Sequence, residues 1–221
     1  MDLRAMTMQD HLLAALNQAT TGTNPFRHWQ MRQILPPALA EALTLFSFPR
    51  VSVGETEGRR ETHNALRRFC TPASVDAFPP CADLAALFQA PETVRRIEAL
   101  CGIDLAGSFL RIEMCRDTDG FWLEPHTDIG AKLFTLLIYL SQGPGAEQLG
   151  TDLYADPAQL PIGRAPALFD SGLAFVPAGD TWHGFVRRPI AGIRRSVIVN
   201  YVVSDWRSRH ELAYPDRPIG Q

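Results

Sequence analysis

The chain has 221 residues, 21 Lys and Arg against 24 Asp and Glu for a net charge of -3, and 46% hydrophobic residues, an ordinary globular composition. A domain of this size buries roughly 70% of the surface its unfolded chain exposes, so a core can form without disulfide or metal staples. The charge is too small for a basic nucleic-acid platform, and the longest apolar stretch, Leu133 to Leu140, is far too short to span a membrane.

At the N-terminus, Asp2 and Arg4 precede a short amphipathic pattern, Leu12, Leu13 and Leu16, with no long apolar run or small-residue cleavage site, so no secretory signal is expected. Phe26 to Leu35 alternates as a strand does. Pro36-Pro37 opens a helix through Leu39, Leu43 and Phe46 that Pro49 stops. Gly54 to Arg60 and Thr71 to Pro80 are rich in turn-forming residues and are expected to be loops. Asp83 to Gln89 and Pro91 to Leu100 read as helices, the second ended by Gly102.

From Ser108 the period changes to short strand-like runs separated by turn signals. They are Phe109–Met114, Phe121–Glu124, Lys132–Leu140, Thr151–Tyr154, Ala167–Asp170, Leu173–Val176, His183–Val186 and Arg194–Val203. Eight such strands suit a cupin-like jelly roll, a double-stranded β-helix, so the fold class is mainly β with flanking helices. The expected organisation is a single domain over 1–221: a mainly helical support region over 1–105, a jelly-roll core over 106–205 and a tail over 206–221. Cys70, Cys81, Cys101 and Cys115 form no Cys-x-x-Cys pair and read as reduced, mostly buried thiols of a cytoplasmic protein.

Six histidines occur, His11, His28, His63, His126, His183 and His210, and two stand out. His126-Thr127-Asp128 places an imidazole and a carboxylate two residues apart, on one face if the stretch is extended. His183 opens a later strand that a β-roll could bring beside them. Two His and one carboxylate on one face of a metal leave coordination positions open, the pattern of non-haem Fe(II) oxygenases. Past His183, Arg194-Arg195-Ser196 opens the final strand, and alternation puts Arg194, Ser196, Ile198 and Asn200 on one face. An Arg and a Ser two apart can grip one carboxylate.

The ordered set His126-x-Asp128, His183 and Arg194-x-Ser196 resembles the Fe(II)- and 2-oxoglutarate-dependent dioxygenases, over roughly residues 106 to 205. The resemblance implies Fe(II) held by His126, Asp128 and His183, and 2-oxoglutarate whose distal carboxylate meets Arg194 and Ser196. Tyr139 resembles the tyrosine that prolyl-hydroxylase-like members direct at that carboxylate; a core or cross-strand aromatic is the other reading. The activity implied is hydroxylation of a C–H bond at the expense of O2, with release of succinate and CO2 and with ascorbate as a reductant.

Arg111 and Glu113 share a strand face, where inward placement points to substrate recognition and outward placement to a solvated face. Trp122 and Trp182 are candidate walls over the open iron position, and Asn200 a candidate contact on the inward face. Residues 181 to 221 hold seven Arg and three acids, and Arg50, Arg59 and Arg60 add to a cationic bias that suits an anionic small-molecule or conjugated substrate. Two rivals stand: a cupin-type metalloenzyme that does not use 2-oxoglutarate, which leaves Arg194 and Ser196 without a task, and a catalytically silent binding module of the same fold.

Overall fold

The computed structural model describes residues 6–48, 58 and 66–220. Apart from Gly58, the loop expected over 54–60 lies outside the described residues, as do the Pro49 helix stop, Arg50, Arg59, Arg60, His63, Asp2 and Arg4.

Five helices precede the main strands: α1 (Met8–Asn17), α2 (Pro37–Leu43), α3 (Pro72–Ala77), α4 (Pro79–Gln89) and α5 (Pro91–Cys101). Thr7 caps α1 through a reciprocal pair with Asp10, and Gly102, at φ 75°, ends α5 in the left-handed conformation that glycine tolerates. The expected loop over Thr71 to Pro80 is instead mostly helical. Pro72 starts α3 behind the Thr71 cap and Pro79-Pro80 start α4, because the first helical turn has no use for the N–H that proline lacks.

The strands are β1 (Thr20–Gly22), β2 (His28–Arg32), β3 (Arg67–Phe69), β4 (Phe109–Asp117), β5 (Leu123–His126), β6 (Lys132–Tyr139), β7 (Asp152–Leu153), β8 (Gly163–Arg164), β9 (Ser171–Phe175), β10 (His183–Phe185) and β11 (Arg194–Val202). They form a seven-stranded sheet, β1-β2-β9-β6-β11-β4-β3, and a four-stranded sheet, β5-β10-β7-β8, with every pairing antiparallel. The eight strands from β4 onward divide four to each sheet, which makes the jelly roll. Ala167–Asp170 is not a strand. Its end is a turn with Asp170 at φ 55°, held because the Asp170 carboxylate accepts the Leu35 N–H at 3.1 Å.

Alternation along the central strands separates two chemistries. Leu110, Ile112 and Met114 of β4, Phe134, Leu136 and Ile138 of β6, and Val197, Val199 and Tyr201 of β11 join the core under the helices. Arg111, Glu113, Thr135, Tyr139, Arg194, Ser196 and Asn200 therefore face the inside of the roll. All four cysteines are buried, and the Cys70 and Cys81 sulfurs lie 2.9 Å apart in the helical layer. Among the described residues, no helix is long and apolar enough to cross a membrane.

Candidate metal centre

His126 ends β5 and His183 opens β10, and the two strands pair with these residues directly opposite. Their ring centroids are 4.3 Å apart. Gly184 keeps that approach close, since a Cβ there would stand 2.8 Å from the Leu123 carbonyl. Asp128 follows in the loop toward β6, and the candidate ligand atoms of His126, Asp128 and His183 lie within 4.8 Å of one another.

Each imidazole is oriented by its Nδ1–H, which donates to a carbonyl two residues back: His126 to Glu124 at 3.0 Å and His183 to Thr181 at 2.9 Å. A carbonyl can only accept, so each ring presents a basic Nε2, the form a metal ligand needs. Burial, together with the neighbouring His126, lowers the His183 pKa to about 4, so the ring is neutral at physiological pH. Burial alone would raise the Asp128 carboxyl, but Lys132, His183 and the hydrogen bonds it accepts hold it well below the usual carboxylate range. Lys132 Nζ donates to Oδ1 at 2.6 Å and the Thr135 hydroxyl to Oδ2 at 2.7 Å.

The three side chains open onto a cavity of about 540 Å³ that also meets Arg67, Glu113, Lys132, Thr135, Thr151 and Arg194. At its inner end Arg194 is 2% exposed, packs 4.6 Å over the Phe185 ring, and donates from Nη1 to Asp117 at 2.5 Å and from Nε to the Leu149 carbonyl at 2.8 Å. Nη2 is then the guanidinium arm without a protein partner among the described residues. Ser196, two residues on, is equally buried and does not line this cavity but a smaller one against the helical layer; its hydroxyl has no hydrogen-bond partner among the described residues. Tyr139 pairs across the ladder with Ser196 and donates its hydroxyl to Thr151 at 2.8 Å. Burial raises its pKa, partly opposed by Thr151 and the Arg194 charge, so it stays a neutral donor.

An orphaned buried hydroxyl beside an arginine with one arm to spare costs free energy unless something accepts from both. A carboxylate fits that chemistry, and two imidazoles with one carboxylate suit Fe(II) better than a soft-metal site would. The residues present therefore fit a divalent ion at His126, Asp128 and His183, and Arg194 meets the same cavity as the cation expected to hold a carboxylate, whereas Ser196 and Tyr139 are not among the residues that line it.

The residues proposed from sequence for substrate contact separate. Glu113 lines the cavity, but its carboxylate is consumed by Arg67, which donates from Nε and Nη2 at 2.5 Å, and by Arg111 Nη1 at 3.1 Å. Arg111 is buried behind the cavity wall, tied through Nε to Glu211 at 2.6 Å, so the solvated-face alternative for this pair is wrong. Charges survive inside the roll because they are paired. Asn200 is also off the cavity surface. Its amide donates to the Thr135 hydroxyl at 2.8 Å, so it acts on Asp128 through Thr135. Trp122 and Trp182 are not among the residues facing the cavity; Trp122 packs over Gly58, where a Cβ would meet its ring.

Sequence reasoning missed Lys132, Arg67 and Asp117. Lys132 carried a signal, since it is the chain's single lysine among 21 basic residues and stands four residues after Asp128.

No protein-family model and no curated protein matches the chain. Solved structures do. A prolyl 4-hydroxylase from Phytophthora capsici superposes with a TM-score of 0.59 at 15% identity, covering 93% of this chain and 68% of that one. A Trichoplax adhaerens prolyl hydroxylase, solved with a hypoxia-inducible-factor peptide fragment, gives 0.56 at 12% identity, covering 89% and 90%. A Pseudomonas putida prolyl-4-hydroxylase gives 0.55 at 14% identity, covering 87% and 98%. The chain has the jelly-roll fold of the Fe(II)- and 2-oxoglutarate-dependent oxygenases. Within that oxygenase fold, the His126–Asp128–His183 cluster is a group that could hold a metal ion at the mouth of the roll.

Proposed function

We propose that the protein is an Fe(II)- and 2-oxoglutarate-dependent oxygenase that hydroxylates a C–H bond. The reading is carried by Arg194, whose buried guanidinium lines the same cavity as His126, Asp128 and His183, with the orphaned Ser196 hydroxyl two residues on along the same strand. A cupin-type metal enzyme without 2-oxoglutarate would leave the buried Arg194 without a task in the cavity, and a silent binding module would have no need of the three-ligand cluster. Bound Fe(II) and 2-oxoglutarate supply the oxidising chemistry, consuming O2 and giving succinate, CO2 and a hydroxylated product.

The chain's own residues position and shield. His126 and His183 present Nε2, and Asp128 brings the single negative charge. Arg194 and Ser196 fix the distal carboxylate of the co-substrate, with the neutral Tyr139 hydroxyl beside them. Phe185, Phe121 and Leu149, a buried apolar cluster, keep that end dry, which strengthens a charge pair formed there. The cavity is in the range of small-molecule sites, and we assign the substrate to a small or conjugated molecule met in the cytoplasm, with ascorbate as an auxiliary reductant.

The test is succinate release from 2-oxoglutarate by protein loaded with Fe(II) under O2 and ascorbate, with His183→Ala as control. Slow succinate formation in the wild type, absent in the variant, is expected. If 2-oxoglutarate neither binds the Fe(II)-loaded protein nor changes its absorption spectrum, the reading fails.

A further inference from the structure

Among the described residues, three cations line the cavity, Arg67, Lys132 and Arg194, and two have a carboxylate outside the metal cluster. Arg67 is paired with Glu113 and Arg194 with Asp117. Lys132 differs. Its ammonium donates to Oδ1 of Asp128 at 2.6 Å, and Asp128 is also the one anionic member of the candidate metal centre. The second carboxylate oxygen accepts from Thr135 at 2.7 Å, so both oxygens are engaged before any ion arrives.

The two donors are not equivalent toward an entering cation. A neutral hydroxyl can stay on a coordinated carboxylate and orient it, and Thr135 is itself held by the Asn200 amide at 2.8 Å. An ammonium cannot remain as the near-contact partner of an oxygen that a divalent ion takes, because two positive charges would then share one negative charge at close range in a partly buried site. Lys132 is able to leave. It is 18% exposed, lies at the first position of β6 beside the cavity, and carries its charge on a flexible four-carbon stem.

We propose that Lys132 is an internal competitor for the metal: it neutralises Asp128 in the metal-free protein and must be displaced for a divalent ion to bind, so it sets the affinity of the centre. The inference rests on the metal-centre reading above and assigns Lys132 to a positioning residue that acts through Asp128.

The experiment is calorimetric titration of Mn2+ into metal-free protein at constant pH and ionic strength, for the wild type, Lys132→Met and Lys132→Arg. Lys132→Met keeps the stem and removes the charge. It should bind Mn2+ more than about twofold and up to about fivefold more tightly, the scale of a partly exposed ion pair that no longer has to be broken. Lys132→Arg retains the charge and should stay within about twofold of the wild type. Circular dichroism of each variant establishes that the fold is kept. Weaker Mn2+ binding in Lys132→Met overturns the proposal and makes Lys132 a support for Asp128; binding within twofold of the wild type overturns it as well. Failure of the wild type itself to take up about one Mn2+ per chain overturns the metal-centre reading instead.

Discussion

Replacing Arg194 by Met should have two separable consequences, because this side chain stands between a structural partner and the proposed co-substrate. The first is on stability. Arg194 and Asp117 are both about 3% exposed at their side chains, so removing the guanidinium strands a buried carboxylate. Breaking such a pair costs about 3–5 kcal/mol. For a protein of this length each kcal/mol is worth roughly 2–4 °C, so a fall in Tm of roughly 6–20 °C is expected. The double variant Arg194→Met/Asp117→Asn removes the stranded charge and should recover most of that loss. The second consequence is on 2-oxoglutarate. Losing one partner of a buried, hydrogen-bonded charge pair costs about 2–5 kcal/mol of affinity, roughly thirtyfold or more. That loss should persist in the double variant after the fold is restored. Calorimetric titration of 2-oxoglutarate into Mn2+-loaded protein measures it. Arg195, one residue on, faces the other side of the sheet and is half-buried, so Arg195→Ala should change affinity by less than about threefold. A large loss in Arg195→Ala with Arg194→Met near wild type would refute the strand-register argument.

Glu113→Ala leaves Arg67 and Arg111 facing each other without their shared carboxylate, and should lower stability by about 3–5 kcal/mol in urea unfolding, with Glu113→Gln less severe. Burial raises the Asp170 carboxyl to about 7, only partly opposed by the Leu35 and Ile34 N–H groups. Because this pKa lies above that of the unfolded chain, the charged form is disfavoured by folding, and stability from this group should fall as pH rises from about 4 through 7. Asp170→Asn should remove that dependence, read as the difference in urea midpoint between pH 5 and pH 8. His183 is shifted the other way, to about 4. Its contribution to stability is present above the ordinary imidazole range near 6.5 and lost as pH falls toward 4. NMR titration of the metal-free protein should find one histidine ring still neutral at pH 5.5, and that signal should be missing in His183→Asn.

What the sequence alone determined is what depends on short-range order. The change from helical to two-residue period near Ser108 follows from the residues themselves, as does the alternation that sends Arg194 and Ser196 inward and Val197 and Val199 to the helical layer. The spacing His126-x-Asp128 was visible for the same reason. Element ends were less legible: Thr71 to Pro80 looked like a loop and holds two helix starts, and Ala167–Asp170 looked extended and ends in a turn that a long-range bond to Leu35 stabilises. The tertiary structure decided which inward groups are free and which are spent. Glu113 is consumed by Arg67, 46 positions away, Arg194 by Asp117, 77 away, and Asp128 is held by Lys132. Inside a low-dielectric roll each charge takes the nearest opposite charge, and which one is nearest depends on strand pairing across the whole chain.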